Sequence, residues 1–246
     1  MKTFQRSLCL VAACGVAILP TALPAQDSGP PRPPSGPLLA SAPSYSQWVV
    51  EFAYPQPASA PPRPPSPDDQ YKTKSITTTK TGQIIHEEIA NGLGQVDDHW
   101  YIGATQYFRP PGAKSWLESH AGDNGAGMNY SGLPAKGFRD LDWIVASNYI
   151  GIVEHAGHQY LVFTQSPSAG GRKIPSADGY QDLDSYALID ISTRYPAEVK
   201  LLGAVRTYRF ADPPGEKQEL PADLAKVIQD GQEMRARLSQ PPPRPY

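Results

Sequence analysis

Tyr149-Ile150-Gly151-Ile152-Val153-Glu154, then Ala156-Gly157, then Gln159-Tyr160-Leu161-Val162-Phe163-Thr164 is the stretch on which the fold reading rests. Two runs rich in β-branched and aromatic residues flank a turn that allows only an antiparallel return, because a parallel neighbour needs a crossover of roughly a dozen residues or more. The same pattern recurs on both sides. Upstream, Ser75 to Thr81 meets a turn at Gly82, Gln83 to Ile89 meets the hairpin signal Asn91-Gly92, and His99 to Ile102 and Thr105 to Phe108 flank Gly103-Ala104 before Pro110-Pro111 ends the run. Downstream, Tyr186 to Ile191, Ala197 to Leu202 and Val205 to Phe210 follow, the last two separated by Gly203.

Together these runs predict a mainly β fold with minor α: a strongly curved antiparallel meander sheet of about nine or ten strands, an open half-barrel packed by one or two helices. The Gly-rich stretch from Gly122 to Gly137 and the polar stretch from Ser166 to Asp184 read as excursions from that sheet. One helix is expected over 221–238, where Pro221 suits the first turn, Asp223 suits the positive helix end, and Leu224, Val227, Ile228, Met234 and Leu238 share a face. A second, short helix is expected through Phe138, Leu141, Trp143 and Ile144, whose spacing is helical.

Proline draws the outer boundaries. Fifteen of the 28 prolines fall between Pro20 and Pro67, and four of the last six residues are proline. The hexad Pro30-Pro31-Arg32-Pro33-Pro34-Ser35 recurs as Pro61-Pro62-Arg63-Pro64-Pro65-Ser66, with an echo in Pro243-Arg244-Pro245. Such runs lack amide donors and favour extended polyproline II, which suits spacers and peptide ligands. Between the hexads, Gln47 to Tyr54 reads as a strand able to dock onto the main sheet. The expected organisation is a signal peptide (1–25), a Pro-rich segment with one strand at 47–54 (26–70), a β-rich domain ending in the helix (71–240) and a Pro-rich tail (241–246).

The signal reading rests on Lys2 and Arg6 ahead of an apolar run from Leu8 to Leu19, with Ala25 as the small residue before the cut. That run is too short to span a bilayer, and no later run approaches the ~20 residues required, so no transmembrane segment is expected after signal removal. Export places the chain in the periplasm or cell envelope, or in the medium. Both cysteines, Cys9 and Cys14, lie within the signal, so the remaining domain folds without disulfides or thiolate metal sites. An alternative cut at Cys14 would leave a lipidated N-terminus in front of a Pro-rich spacer. Taking away Lys2 and Arg6 leaves 20 basic residues against 24 acidic ones with no basic cluster, which argues against nucleic acid as a partner.

The ionisable groups nominate little chemistry, and no cofactor is indicated. His155 and His158 are the closest histidine pair and the candidates for a metal site, yet Ala156-Gly157 reads as a hairpin turn that sets them at its base, and zinc or copper needs three or four ligands. Carboxylates cluster at Glu87-Glu88, Asp97-Asp98 and Asp182-Asp184, but adjacent acids on a strand face opposite ways. His86, Asp98 and a serine could form a triad in name, although no Gly-x-Ser-x-Gly elbow selects the nucleophile. Gly125-Ala126-Gly127 lacks the third glycine of a dinucleotide loop, and Asn129-Tyr130-Ser131 fits a glycosylation sequon. Trp48, Trp100, Tyr101, Tyr107, Phe108, Tyr160, Phe163, Tyr186, Tyr208 and Phe210 fall on predicted strands. If the sheet curls, they form either a filled core or an apolar concave face that holds a lipid or peptide.

Tyr186-Ala187-Leu188-Ile189-Asp190 with Ser192-Thr193, Tyr195-Pro196 and Ala197-Glu198-Val199-Lys200, followed by the strand ending Tyr208-Arg209-Phe210, resembles a segment of the periplasmic lipoprotein-carrier superfamily. The preceding hairpin, Gly157 to Val162, is similar to the unit that family places just before. The resemblance covers roughly the C-terminal third. It implies an open half-barrel that buries acyl chains or extended segments and carries no catalytic residues, while the family's long N-terminal helix has no counterpart in residues 26–70. The leading expectation is therefore an exported non-catalytic protein that binds a lipid, an acyl chain or an envelope protein. The alternatives are a hydrolase using histidines and acids between Gly103 and Asp142, and a structural surface protein acting through its Pro-rich repeats.

Overall fold

The computed structural model describes residues 31–56, 64, 66–120, 137–165, 179–212, 215 and 218–239. The signal segment, most of the second Pro-rich hexad, the Gly125 and Asn129 motifs and the Pro-rich tail lie outside them. The described residues form one antiparallel sheet of eleven strands, not closed into a barrel, with one α-helix. In chain order the strands are β1 (Tyr45–Ala53), β2 (Thr73–Thr81), β3 (Ile84–Asn91), β4 (Val96–Ile102), β5 (Thr105–Arg109), β6 (Leu117–His120), β7 (Tyr149–His155), β8 (His158–Phe163), β9 (Tyr186–Asp190), β10 (Pro196–Leu201) and β11 (Ala204–Ala211), and the helix α1 is Ala222–Leu238. Their order across the sheet is β6-β5-β4-β3-β2-β1-β11-β10-β9-β8-β7. Two meanders thus meet where β1 pairs β11, Trp48 opposite Phe210 and Val50 opposite Tyr208.

Ten of the strands match the expected runs. The eleventh, β6, is a four-residue edge strand whose Leu-Glu-Ser-His sequence has no β-branched or aromatic residue. The expected hairpin at Asn91-Gly92 is a longer turn. Gly94 supplies the positive φ of 77°, the Asn91 amide donates to the Gln95 carbonyl, and the Asn91 side-chain oxygen accepts from the Leu93 and Gln95 amides. Gly92 serves close approach instead: a Cβ there would stand 2.7 Å from the Asp69 carbonyl oxygen in the 3-10 turn Pro67–Tyr71. At Ala156-Gly157 both φ angles are positive, 51° and 79°, as a two-residue hairpin turn of mirror type demands.

Strand β1 does not decorate the domain but sits at its middle, between β2 and β11, and the residues before it are also part of the core. Leu39 and Ala42 are buried, the Ala40 amide donates to the Arg194 carbonyl, and Lys80 Nζ donates to the Ala42 carbonyl at 2.9 Å. The sheet domain therefore begins well before residue 71, and the stretch 38–53 belongs to it.

One face of the sheet carries Trp48, Val50, Ile76, Leu161, Phe163, Ile189, Val199 and Tyr208. Against it lies the segment 137–148, where a second helix was expected. It is a series of turns, because Gly137 and Asp140 adopt φ of 81° and 59°, which no helix contains, yet Phe138, Leu141 and Ile144 are still buried. Phe138 meets Trp48 edge to face at 5.4 Å and also contacts Tyr208 and Phe210. On the opposite face α1 covers β3 to β5: Leu224 is fully buried with Trp100, Tyr107 and Trp116, and Val227 and Ile228 pack against them. Met234 and Leu238, expected on the same buried face, are 63% and 80% exposed, so the apolar packing of the helix is confined to its first half, while Arg235 ties the second half to Glu118 of β6 at 3.0 Å.

Candidate functional site

On the face covered by residues 137–148, the described residues leave space. A cavity of about 200 Å³ lies between β11, β1, β2 and β3 and the turn Gly137 to Asp140. Its walls are Trp48, Val50 and Phe52 from β1, Ile76 and Thr78 from β2, Ile89 from β3 and Tyr208 from β11. These residues share a face because alternate strand residues point the same way and the register sets Val50 opposite both Ile76 and Tyr208. Burial pushes the Tyr208 phenol up to about 12, so it stays neutral beside Arg206.

Two arginines and two acids also line this cavity. Arg139, from the covering turn, donates through Nε and Nη2 to Glu87, whose side chain is 4% exposed on β3, and Arg139 Nη2 also reaches the Tyr101 hydroxyl. Burial works against the Arg139 charge, but Glu87 more than offsets it and holds the guanidinium protonated beyond its ordinary range. The network continues inward. Tyr101 donates to Glu87 at 3.0 Å, Gln106 Nε2 donates to the Tyr101 hydroxyl at 3.3 Å, and Gln106 Nε2 lies 2.6 Å from His99 Nδ1. That last contact requires His99 to accept at Nδ1. Burial first, and the Arg139 charge second, push the His99 pKa below its ordinary value, in agreement with a neutral ring.

The second pair is built differently. Arg206 on β11 has a side chain 10% exposed and donates through Nη1 to Asp140 at 2.8 Å, while Asp140 itself is 57% exposed. The guanidinium lies over the Phe52 ring at 5.2 Å, and its buried Nε has no hydrogen-bond partner among the described residues.

The histidines and acids singled out from sequence fall elsewhere. His155 and His158 are directly opposite across the turn at the tip of β7 and β8, both exposed, and among the described residues no group of three metal-ligating side chains forms. Glu87 and Glu88 do face opposite ways, Glu88 lining a shallower hollow of about 250 Å³ on the α1 side with Asp98, Arg109 and Pro110. The structure brings His86 and Asp98 together at 2.9 Å. Asp98 also accepts from Trp100 Nε1 and Arg109, and Arg109 continues to Asp223 of α1, so the pair braces the helix start on the sheet. Burial pushes the Asp98 carboxyl up, but His86 and Arg109 together hold it below the ordinary range. Asp182 ends a 3-10 turn, Gly179–Asp182, whose Tyr180 is buried against Tyr186 at 5.0 Å.

Sequence reading passed over Arg206, Arg139 and Asp140. A signal existed for the first: on β11 the inward positions run Ala204, Arg206, Tyr208, Phe210, and on β3 Ile85, Glu87, Ile89, so Arg206 and Glu87 are charges in the apolar phase of their strands. No protein-family model matches this chain, and no curated protein sequence matches it, so the geometry of this sheet face is what its functional reading stands on.

Proposed function

We propose that the chain is an exported, non-catalytic binding protein of the cell envelope that holds an apolar ligand on the inner face of its open sheet. The observation that carries this reading is the cavity of about 200 Å³ walled by Trp48, Val50, Phe52, Ile76, Ile89 and Tyr208, left unfilled although Phe138 packs beside it. The walls combine apolar side chains with threonines and charged groups in nearly equal measure, and apolar surface with placed polar groups is the make-up of a site for an amphiphilic small ligand. The volume equals roughly seven groups of water size, which suits one short chain or a ring, or the end of a longer chain.

Its support extends to the sheet as a whole. The sheet is antiparallel and open, with one helix, and an open sheet that buries acyl chains is what the resemblance of the C-terminal third to periplasmic lipoprotein carriers would imply. The leader sequence gives export, and the Pro-rich segment ahead of residue 37 supplies a spacer from a membrane or partner.

Native mass spectrometry of the protein purified from its exported form tests the reading. The expected result is a co-purified apolar species that is lost when Val50→Phe fills the cavity. A protein that carries nothing, and whose Trp fluorescence and melting temperature ignore apolar probes, would remove it.

A further inference from the structure

The two arginines that line the cavity are not equivalent, and the difference selects the ligand. Arg139 meets Glu87 through two N–H groups, and Glu87 is almost wholly buried, so that pair is closed on itself. Arg206 is more buried than Arg139, yet the carboxylate that meets it through one N–H stands mostly in water, and its other partner, the Tyr208 hydroxyl, is neutral. A guanidinium offers five donors in a rigid fork and binds a carboxylate best through two parallel N–H bonds. On Arg206 the acceptor Asp140 takes Nη1 alone, and Nε is buried without an acceptor among the described residues.

A cation on the inner phase of a central strand, with Ala204 and Tyr208 as its same-face neighbours, is costly to keep unless something anionic meets it. Asp140 is a replaceable partner. Its side chain loses little by swinging into solvent, whereas Glu87 could not leave Arg139 without burying a bare charge. Arg206 also lies over Phe52, which places its charge at the apolar wall and not at the rim.

We infer that the ligand is a small amphiphile bearing a carboxylate, whose acid displaces Asp140 on Arg206 and whose short apolar body lies against Trp48, Val50 and Ile76. This rests on the cavity being a ligand site, as proposed above, and adds the acid and its anchor. An apolar stretch of about seven carbons fills the volume, which makes octanoate a fitting probe.

Calorimetric titration of the exported protein at pH 7 with sodium octanoate and, separately, with 1-octanol compares the same body with and without the acid. Octanoate is expected to bind at least tenfold more tightly than octanol. Arg206→Gln should bring the two affinities together. Asp140→Asn, which removes the competing carboxylate at an exposed position where asparagine accepts the left-handed backbone, should raise the octanoate-to-octanol ratio severalfold. Should Arg206→Gln fail to fold, the wild-type comparison and Asp140→Asn still decide. Equal binding of both probes by the wild type, or a preference for octanol, would overturn the acid anchor while leaving an apolar site in place. Binding of neither would overturn both readings.

Discussion

Arg139 and Glu87 are joined by two hydrogen bonds, Nε to Oε1 at 3.2 Å and Nη2 to Oε2, so the turn lying over the sheet is tied to the middle of β3. Removing the arginine strands a carboxylate that is 4% exposed and keeps only the Tyr101 hydroxyl. Arg139→Ala is expected to cost about 3 kcal/mol, the low end for breaking a buried pair because Arg139 is itself partly exposed. Arg139→Met combined with Glu87→Leu should recover most of that loss, and urea denaturation of the two variants measures the difference.

Acidification should weaken the fold through His99. His99 has a folded pKa below its ordinary 6.5, so the unfolded chain takes up a proton near pH 6.5 that the folded chain refuses. Its contribution is complete above pH 6.5 and is lost as the pH falls toward the folded pKa, at up to about 1.4 kcal/mol per pH unit. Asp98, also depressed, adds a further loss only below about pH 3.8. Urea midpoints between pH 8 and 5 should decline for the wild type and stay level for His99→Gln. A level wild-type profile would rule out the neutral, Gln106-bonded ring.

Leu224 is the residue through which α1 holds the sheet. With no exposed surface and three aromatic neighbours, it cannot shrink without leaving a void, so Leu224→Ala is expected to cost about 3 kcal/mol. Met234→Ala and Leu238→Ala lie on the exposed half of the same helix and should change stability by no more than about 0.5 kcal/mol. Thermal melts of the three variants check the contrast.

The histidines at the β7–β8 tip should prove indifferent to metal. Two exposed imidazoles with no third ligand beside them hold zinc weakly, so adding zinc to the tag-free protein should leave its melting temperature unchanged. A rise that disappears in His155→Ala/His158→Ala would show a site completed by other means.

How much of this was legible depends on where the information resides. Strand positions were readable because β-branched and aromatic runs are local, and the Ala156-Gly157 turn was readable because two residues allow few geometries. The short helix expected through Phe138, Leu141, Trp143 and Ile144 is instead a series of turns. Phe138, Leu141 and Ile144 have helical spacing, but the left-handed backbone at Gly137 and Asp140 turns them inward by another route. Gly137 is needed for contact as well, since a Cβ there would stand 3.0 Å from the Ala42 Cβ, a neighbour no local pattern could supply. Proline content set residues 26–70 apart in composition, yet Leu39, Ala42 and β1 fold into the centre, because burial of a few apolar side chains outweighs the composition around them. The cavity was invisible for the same reason: Arg206, Asp140 and Glu87 come together only when two meanders and the covering turn are assembled.

The pairing of β1 with β11 sets the order in which this chain can become a protein. Trp48 and Phe210 are about 160 residues apart in sequence, and contacts of such separation form late and slowly, since a long loop must close before they stabilise anything. A chain emerging from the ribosome has β1 bare along one side until β11 arrives. The two meanders lock together only when the last strand is delivered.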